Sequence, residues 1–382
     1  MTEPTFPGDE LFDEEENAFR VEFREWLARN PAPERPQTAD RTWIELYSAW
    51  HRSMAQAGYG ALHWPPEYGG AGRPIGHQLA QIEELAKTGT DAKVLMAGLY
   101  LVAPVLMAIG TPQQKEHLPR ILFGHERWSL LLSEPGAGSD LFSLQTKGVI
   151  DGDTIRVTGQ KIWTSYGHVA DYCVALIRTD PEGTRTRGLS LVIVDMTAPG
   201  ITVRPIRQMN GAAEFNEVFL DDVPVPSADV LGELHKGAAS LFLLLSAERT
   251  GLGLAGYASL VEKVEKLRGQ VASTGDSHLR WRWVELWSRV AAQRLNALRG
   301  ATNLSKPDGS FAPASLAKLQ NATNSQALAE LALHTMGSAA LTLEESDQVV
   351  STFLRSPADS IGGGTSEIQK NAIAEQILGL PR

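Results

Sequence analysis

The sequence has one cysteine, no excess of positive charge and no long uninterrupted apolar run. Cys173, standing alone, excludes an internal disulfide and a cysteine-based metal cluster. A formal charge of −10 leaves no basic stripe to neutralise phosphates, which argues against a nucleic-acid partner. The longest apolar stretches, around 94–109 and 238–245, are short or broken by Gly and Pro, so no membrane span is expected. The first ten residues are acidic without an apolar core; no signal peptide is read there, and a cytoplasmic location is the default expectation. The nine histidines show no His-Glu-x-x-His or comparable metal spacing, and Ser133 has no nucleophile-elbow context.

What is present is an ordinary globular composition, 43% hydrophobic and 21% charged, over 382 residues, enough for two or three domains. Residues 1–126 read as helical: Asp13-Glu-Glu-Glu16 forms a capping box, and Phe19, Phe23, Trp26 and Leu27 follow on one face. Thr111-Pro112 marks another helix start. From 127 to 236, short β-branched runs at 128–132, 148–150, 154–158, 172–178, 189–195, 201–206 and 217–220 alternate with turns. Asp151-Gly152 between two of them signals a hairpin, and a compact antiparallel β domain is expected. Residues 237–382 turn helical again, through 241–267, 279–303, 314–335 and 343–354. The order defines an α+β chain with a β domain between two helical parts.

Four places in the sequence carry candidate chemistry. The segment Leu130-Leu-Leu-Ser-Glu-Pro-Gly-Ala-Gly-Ser-Asp140 follows a strand and is rich in N–H and hydroxyl donors, yet lacks the third glycine of a dinucleotide fingerprint. Trp163-Thr-Ser165 pairs an aromatic face with small hydroxyls, suited to stacking on a planar ring; a core tryptophan is the plainer reading. Glu248 falls in line with Leu241, Leu244, Leu245 and Leu252 on one helical face, where a carboxylate is either salt-bridged or shifted in pKa for use as a base. In the last stretch, Gly362-Gly-Gly364 offers a close backbone approach, and Ser366 with Gln369 reads as a capping box for a final helix.

Taken together, Trp64-Pro-Pro-Glu-Tyr-Gly-Gly, Leu132-Ser-Glu-Pro-Gly-Ala-Gly-Ser-Asp, Gly159-Gln-Lys-Ile-Trp-Thr-Ser, Phe219-Leu-Asp-Asp-Val-Pro-Val-Pro, Leu231-Gly-Glu and Gly363-Gly-Thr-Ser-Glu-Ile-Gln resemble the acyl-CoA dehydrogenase family. That resemblance implies an N-terminal helical domain, a middle β domain and a C-terminal four-helix bundle, with FAD at their junction. It places Leu130, Leu132, Ser133, Gly138 and Ser139 against FAD, Ser139 also near the acyl-CoA. It sets Trp163, Thr164 and Ser165 beside the flavin ring and Thr365 and Glu367 on FAD, with Arg249, Gly363 and Gly364 lining the substrate site. Many relatives carry the catalytic glutamate where this chain has Gly363. A second subgroup carries it before an arginine on the bundle helix, as in Glu248-Arg249, so the resemblance makes Glu248 the base.

The implied reaction is α,β-dehydrogenation of an acyl thioester, carried by coenzyme A or a carrier protein, with hydride transfer to flavin N5. Electron-transfer flavoprotein is the implied acceptor. The empty position at Gly363 suggests a bulky or branched acyl group. The family's Arg-x-x-Phe-Gly stretch has no match in 267–281, and its Gln-x-x-Gly-Gly appears only as His334-Thr-Met-Gly-Ser338. This is similar to the branch acting on large substrates such as sterol side chains, so a homotetramer and an α2β2 heterotetramer both stay open. Flavin monooxygenase or oxidase chemistry, or a partner subunit completing another chain's site, are the competing readings.

Overall fold

The structure, a computed structural model, describes residues 6–34, 36, 41–90, 93–304, 312–341 and 348–381, and their side chains except at 93, 247–255, 301–304, 312–313 and 341. The N-terminal part is built from α1 (Glu14–Arg29), α2 (Arg41–Gln56), α3 (Ile75–Lys87) and the shorter α4 (Lys93–Met96), α5 (Ala103–Ile109), α6 (Pro112–Lys115) and α7 (His117–Leu122). Both expected starts are present. Asp13 Oδ1 accepts from the Glu16 N–H at 2.8 Å while Glu16 Oε2 accepts from the Asp13 N–H, and Thr111 with Gln114 repeats the device. Ahead of Pro104 the helix widens into a π turn, Ala97–Val102, which relieves the missing N–H and the ring clash of proline.

Trp64 is completely buried beneath these helices and donates its Nε1–H to the Leu99 carbonyl at 3.1 Å. A Cβ at Gly70 would lie 2.2 Å from the Trp64 carbonyl oxygen, so the loop closes over this tryptophan only with glycine.

The middle part is a seven-stranded sheet of β1 (Trp128–Leu131), β2 (Lys147–Asp151), β3 (Thr154–Ser165), β4 (Tyr172–Arg178), β5 (Leu189–Asp195), β6 (Ile201–Ile206) and β7 (Phe215–Pro226), ordered β1-β4-β2-β3-β7-β6 with β5 beside β4. It departs from a purely antiparallel sheet: β1 pairs parallel to β4, and Lys147 of β2 opposes Arg178 in a parallel bridge. The chain passes through the whole β2–β3 hairpin between β1 and β4 and returns in the same direction, which strand patterning alone does not encode. β3 and β7 also run to twelve residues each, well past 154–158 and 217–220. Their pairing absorbs two register shifts, so polar residues interrupt the alternation without ending the strands.

The C-terminal part packs three long helices, α8 (Gly237–Ser273), α9 (Ser277–Leu304) and α10 (Ala312–Met336), with α11 (Gln348–Arg355) and α12 (Ser366–Gln376) against α10. The expected helix at 343–354 is seen from Gln348; residues 342–347 lie outside the described residues. A Cβ at Gly237 would sit 2.5 Å from the Leu191 N, so α8 starts flush on β5. A buried charge cluster ties the two helical parts together. Glu83 of α3 accepts from Arg20 (2.7 Å), Arg294 (2.9 Å) and the Tyr257 hydroxyl (2.8 Å).

Candidate active site

The first wall of the site is the turn after β1. Ala137 and Glu134 exchange backbone hydrogen bonds at 3.0 Å each way, and the Glu134 carboxylate turns inward. There it accepts from the Gln145 N–H (2.6 Å), the Thr146 N–H (2.9 Å) and the Lys161 ammonium (2.9 Å). Lys161 is completely buried and also donates to the carbonyls of Leu132 (3.0 Å) and Leu176 (2.7 Å). Burial raises the Glu134 carboxyl, but the Lys161 charge and the hydrogen bonds outweigh it and hold the group below its ordinary value. Burial pushes Lys161 down to about 8, against the pull of Glu134. The outcome is a turn whose inner side is locked while Gly136, Gly138 and Ser139 stay exposed. Leu130, Leu132 and Ser133, nearer the strand, are half-buried.

The second wall is the end of β3. The register shift between Lys161 and Thr164 puts Trp163 at φ 64 and turns its side chain out, 56% exposed, so it is not a core tryptophan. Left-handed backbone at a bulky residue is costly and marks a site worth examining. The walls are joined: the Ile162 N–H donates to the Ser133 carbonyl (2.9 Å), and the Ser129 hydroxyl to the Ser165 carbonyl (2.6 Å). Ser165 is exposed, whereas Thr164 is buried with its Oγ1 lacking a partner among the described residues.

The third element is the C-terminal glycine loop. Gly363 (φ 67) and Gly364 (φ 89) both occupy the left-handed region. The cap of α12 is Thr365, not Ser366: its Oγ1 accepts from the Ile368 N–H, while Gln369 reaches back to the carbonyls of Gly363 (3.1 Å) and Gly364 (3.5 Å). The shift by one residue frees Gln369 to hold the glycines. Gly363, Gly364 and Glu367 are exposed, and Thr365 half-buried. Glu248 and Arg249 belong to α8, but their side chains lie outside the described residues.

The sequence reading missed the supports: Glu134 and Lys161 beneath the first turn, Gln369 beneath the glycines, and Glu214 with Arg355 between α11 and β7, 2.9 Å apart. A lysine directly before Ile162-Trp163 in one strand, and a glutamate in a Pro-Gly turn, were the available signals for the first pair. The last pair is 141 residues apart and left none.

The chain is a helix–sheet–helix protein that presents a donor-rich turn, an outward tryptophan and a glycine loop, the class of architecture in which a β domain is set between two helical parts. Sequence comparison assigns each of the three parts to one family. Residues 13–125 match the acyl-CoA dehydrogenase N-terminal domain, 129–223 its middle domain and 242–378 its C-terminal domain. Acyl-CoA dehydrogenase IpdE1 of Mycobacterium tuberculosis is 38% identical over 95% of this chain and 97% of its own. FadE26, an acyl-CoA dehydrogenase of the same organism, is 33% identical over 96% of this chain and 98% of its own. Among solved structures, the Tcur3481-Tcur3483 steroid ACAD superposes with TM-score 0.86 at 27% identity over 97% of this chain and 99% of that one. The ChsE4-ChsE5 complex of M. tuberculosis superposes with TM-score 0.83 at 30% identity over the same shares. The chain belongs to the acyl-CoA dehydrogenase family and is an oxidoreductase.

Proposed function

We propose that the protein is an FAD-dependent dehydrogenase that introduces an α,β double bond into an acyl thioester, with Glu248 as the base. The observation that carries this reading is Trp163: a large ring held outward on a left-handed bulge, hydrogen-bonded through its neighbours to the Ser133 turn. Nothing in a core-packing role requires that geometry, whereas a flat cofactor stacked on the ring does.

The residues present fit FAD on three counts. A Cβ at Gly136 or Gly138 would meet no atom within 4 Å, which leaves room for a ligand to approach the turn backbone. The Ser165 side chain is exposed two residues from Trp163, open to a ring-edge atom. Gln369 fixes two glycine carbonyls, so the opposed N–H groups of Gly364 and Thr365 have a set direction. Leu130, Leu132, Ser133, Gly138, Ser139, Trp163, Thr164, Ser165, Thr365 and Glu367 would hold it. Bound FAD supplies the acceptor for the β-hydrogen and its electron pair.

The chain's own part is to bind, orient and move one proton. Glu248 removes the α-proton, and Arg249 and Gly364 line the acyl pocket. The Gly363 N–H donates to the thioester oxygen as charge builds there. Without a side chain at 363, space opens near the acyl β-carbon. The likeness to the steroid ACAD supports an acyl group carried on a bulky ring system. Coenzyme A or a carrier protein is the thioester partner, electron-transfer flavoprotein the acceptor, and the assembly a homotetramer or α2β2. A partner-subunit role is favoured by one observation: 267–281, where the Arg-x-x-Phe-Gly stretch is missing, forms only the α8–α9 junction. Oxygen-using chemistry has no comparable support.

Anaerobic mixing of the purified chain with straight, branched and steroid-type acyl-CoAs tests the reading. Oxidised-flavin absorbance is expected to bleach with bulky thioesters and to persist in Glu248→Gln. Bleaching that survives in that variant overturns the base, and straight short chains outperforming every branched one overturn the bulky-substrate assignment.

A further inference from the structure

Glu214 immediately precedes β7, and Arg355 closes α11. The two ends of Glu214 face opposite halves of the site. Its backbone carbonyl accepts from the Tyr166 N–H (2.7 Å) and from Asn216 Nδ2 (3.1 Å), closing the bulged turn that carries Trp163. Its carboxylate accepts from Arg355 Nε at 2.9 Å. Both side chains are less than a quarter exposed, so solvent screens the pair only partly.

Arg355 in turn touches both directions. Its guanidinium lies 5.2 Å from the centre of the Phe215 ring, and Phe215 meets Trp163 edge to face at 6.3 Å. Toward the C-terminus, Arg355 Nη1 donates to Asp359 (3.4 Å), whose carbonyl is held by Lys318. The Ala358 carbonyl then accepts from the N–H groups of Ile361 (3.1 Å) and Gly362 (3.0 Å), and Gln369 holds Gly363. A continuous chain of contacts runs from Trp163 to the glycine loop, and Arg355 joins α11 to the start of β7 through both its ion pair with Glu214 and its contact with the Phe215 ring.

We infer that Glu214 and Arg355 are a positioning pair that sets the separation between Trp163 and the Gly362-Gly363-Gly364 loop, and so the alignment of the acyl thioester against the cofactor. The catalytic consequence rests on the dehydrogenase reading; the mechanical coupling does not. Neither residue touches the reacting atoms. A pair that only anchors α11 would leave the Trp163 turn indifferent to its loss, because that turn is also held by Asn216 and Ser129.

The test is hydrogen–deuterium exchange on the full chain, followed in peptides covering 160–167, 190–195 and 358–366. Arg355→Met and Glu214→Gln are each expected to speed exchange in the first and third segments together by about tenfold. The β5 segment stays unchanged. Arg355→Lys restores part of the protection, and the double swap Glu214→Arg with Arg355→Glu restores more than either single swap. Faster exchange confined to 348–366, or a uniform rise that includes β5, overturns the coupling. Should Arg355→Met fail to fold, Glu214→Gln preserves side-chain shape and carries the same comparison. In turnover, kcat falls more than KM rises and flavin content is kept. A wild-type chain that bleaches with no thioester yet shows coupled exchange overturns the dehydrogenase reading alone; turnover with uncoupled exchange overturns the positioning pair alone.

Discussion

Lys161 and Glu134 form an ion pair at 2.9 Å with neither side chain more than 7% exposed, directly beneath the exposed turn proposed to hold the flavin. Removing one member of such a pair leaves the other charged and buried, at a cost of about 3–5 kcal/mol, whereas removing both is far milder. Lys161→Met is therefore expected to destabilise the protein by that amount in urea unfolding and to lose flavin. The double variant Lys161→Met with Glu134→Gln should regain at least half of the stability. Equal losses in the single and double variants would show that the pair is not the support of the turn.

The two tryptophans Trp64 and Trp163 make a controlled contrast. Trp64 is completely buried and hydrogen-bonded; Trp163 is 56% exposed on strained backbone. Truncating a buried tryptophan costs about 3–5 kcal/mol, while a surface substitution usually costs less than about 0.5 kcal/mol. Trp64→Ala should unfold the N-terminal helices. Trp163→Ala should leave the urea midpoint nearly unchanged and weaken flavin retention, measured as bound flavin after gel filtration. A large stability loss in Trp163→Ala would return this residue to a packing role.

Glycines at the two loops differ in what a methyl group would meet. At Gly138 it would meet nothing within 4 Å; at Gly364, with φ 89, it would lie 2.7 Å from Gln369 Nε2. Gly138→Ala should fold with wild-type stability and bind flavin more weakly, because the added methyl occupies ligand space rather than protein space. Gly364→Ala should lose about 1–3 kcal/mol through strained backbone, with thermal unfolding as the readout. Normal flavin binding by Gly138→Ala would remove that turn from the cofactor site.

The fold was legible where local chemistry decides it. Asp13 with Glu16 sets a helix start through contacts three residues apart, Thr111 followed by Pro112 marks another, and strands 172–178, 189–195 and 201–206 end where the sequence pattern ends them. The parallel β1–β4 pair and the full length of β3 were not legible, because β1 and β4 meet across the intervening β2–β3 hairpin, which no local signal reports, and bulges hide inside a broken alternation. At the site, the outward-facing residues of 133–139 and 163–165 carried motif signals. Their supports did not: Lys161 reads as a surface lysine until the sheet closes over it, and Arg355 acquires meaning only when α11 meets Glu214. The shift of the final cap from Ser366 to Thr365 has the same origin, since Gln369 is taken by the glycine carbonyls.

His51 provides a test of acid stability independent of the site. Its Nε2 lies 3.0 Å from the Leu122 carbonyl, so the neutral ring with hydrogen on Nε2 is the form that fits, and burial lowers its pKa to about 4. His63 is lowered to about 4 for the same reason. In the unfolded chain both take up a proton below about 6.5, while the folded protein excludes it. The unfolded state thus binds more protons in that window, and stability falls as pH drops from 6.5 toward 4. Between pH 6.5 and 5, before carboxylates titrate, each histidine should remove up to about 2 kcal/mol. Urea midpoints measured across that range should decline steeply in the wild type, and His51→Gln should flatten the slope by about half. An unchanged slope would mean that the histidine ring is protonated in the folded protein, in conflict with its burial.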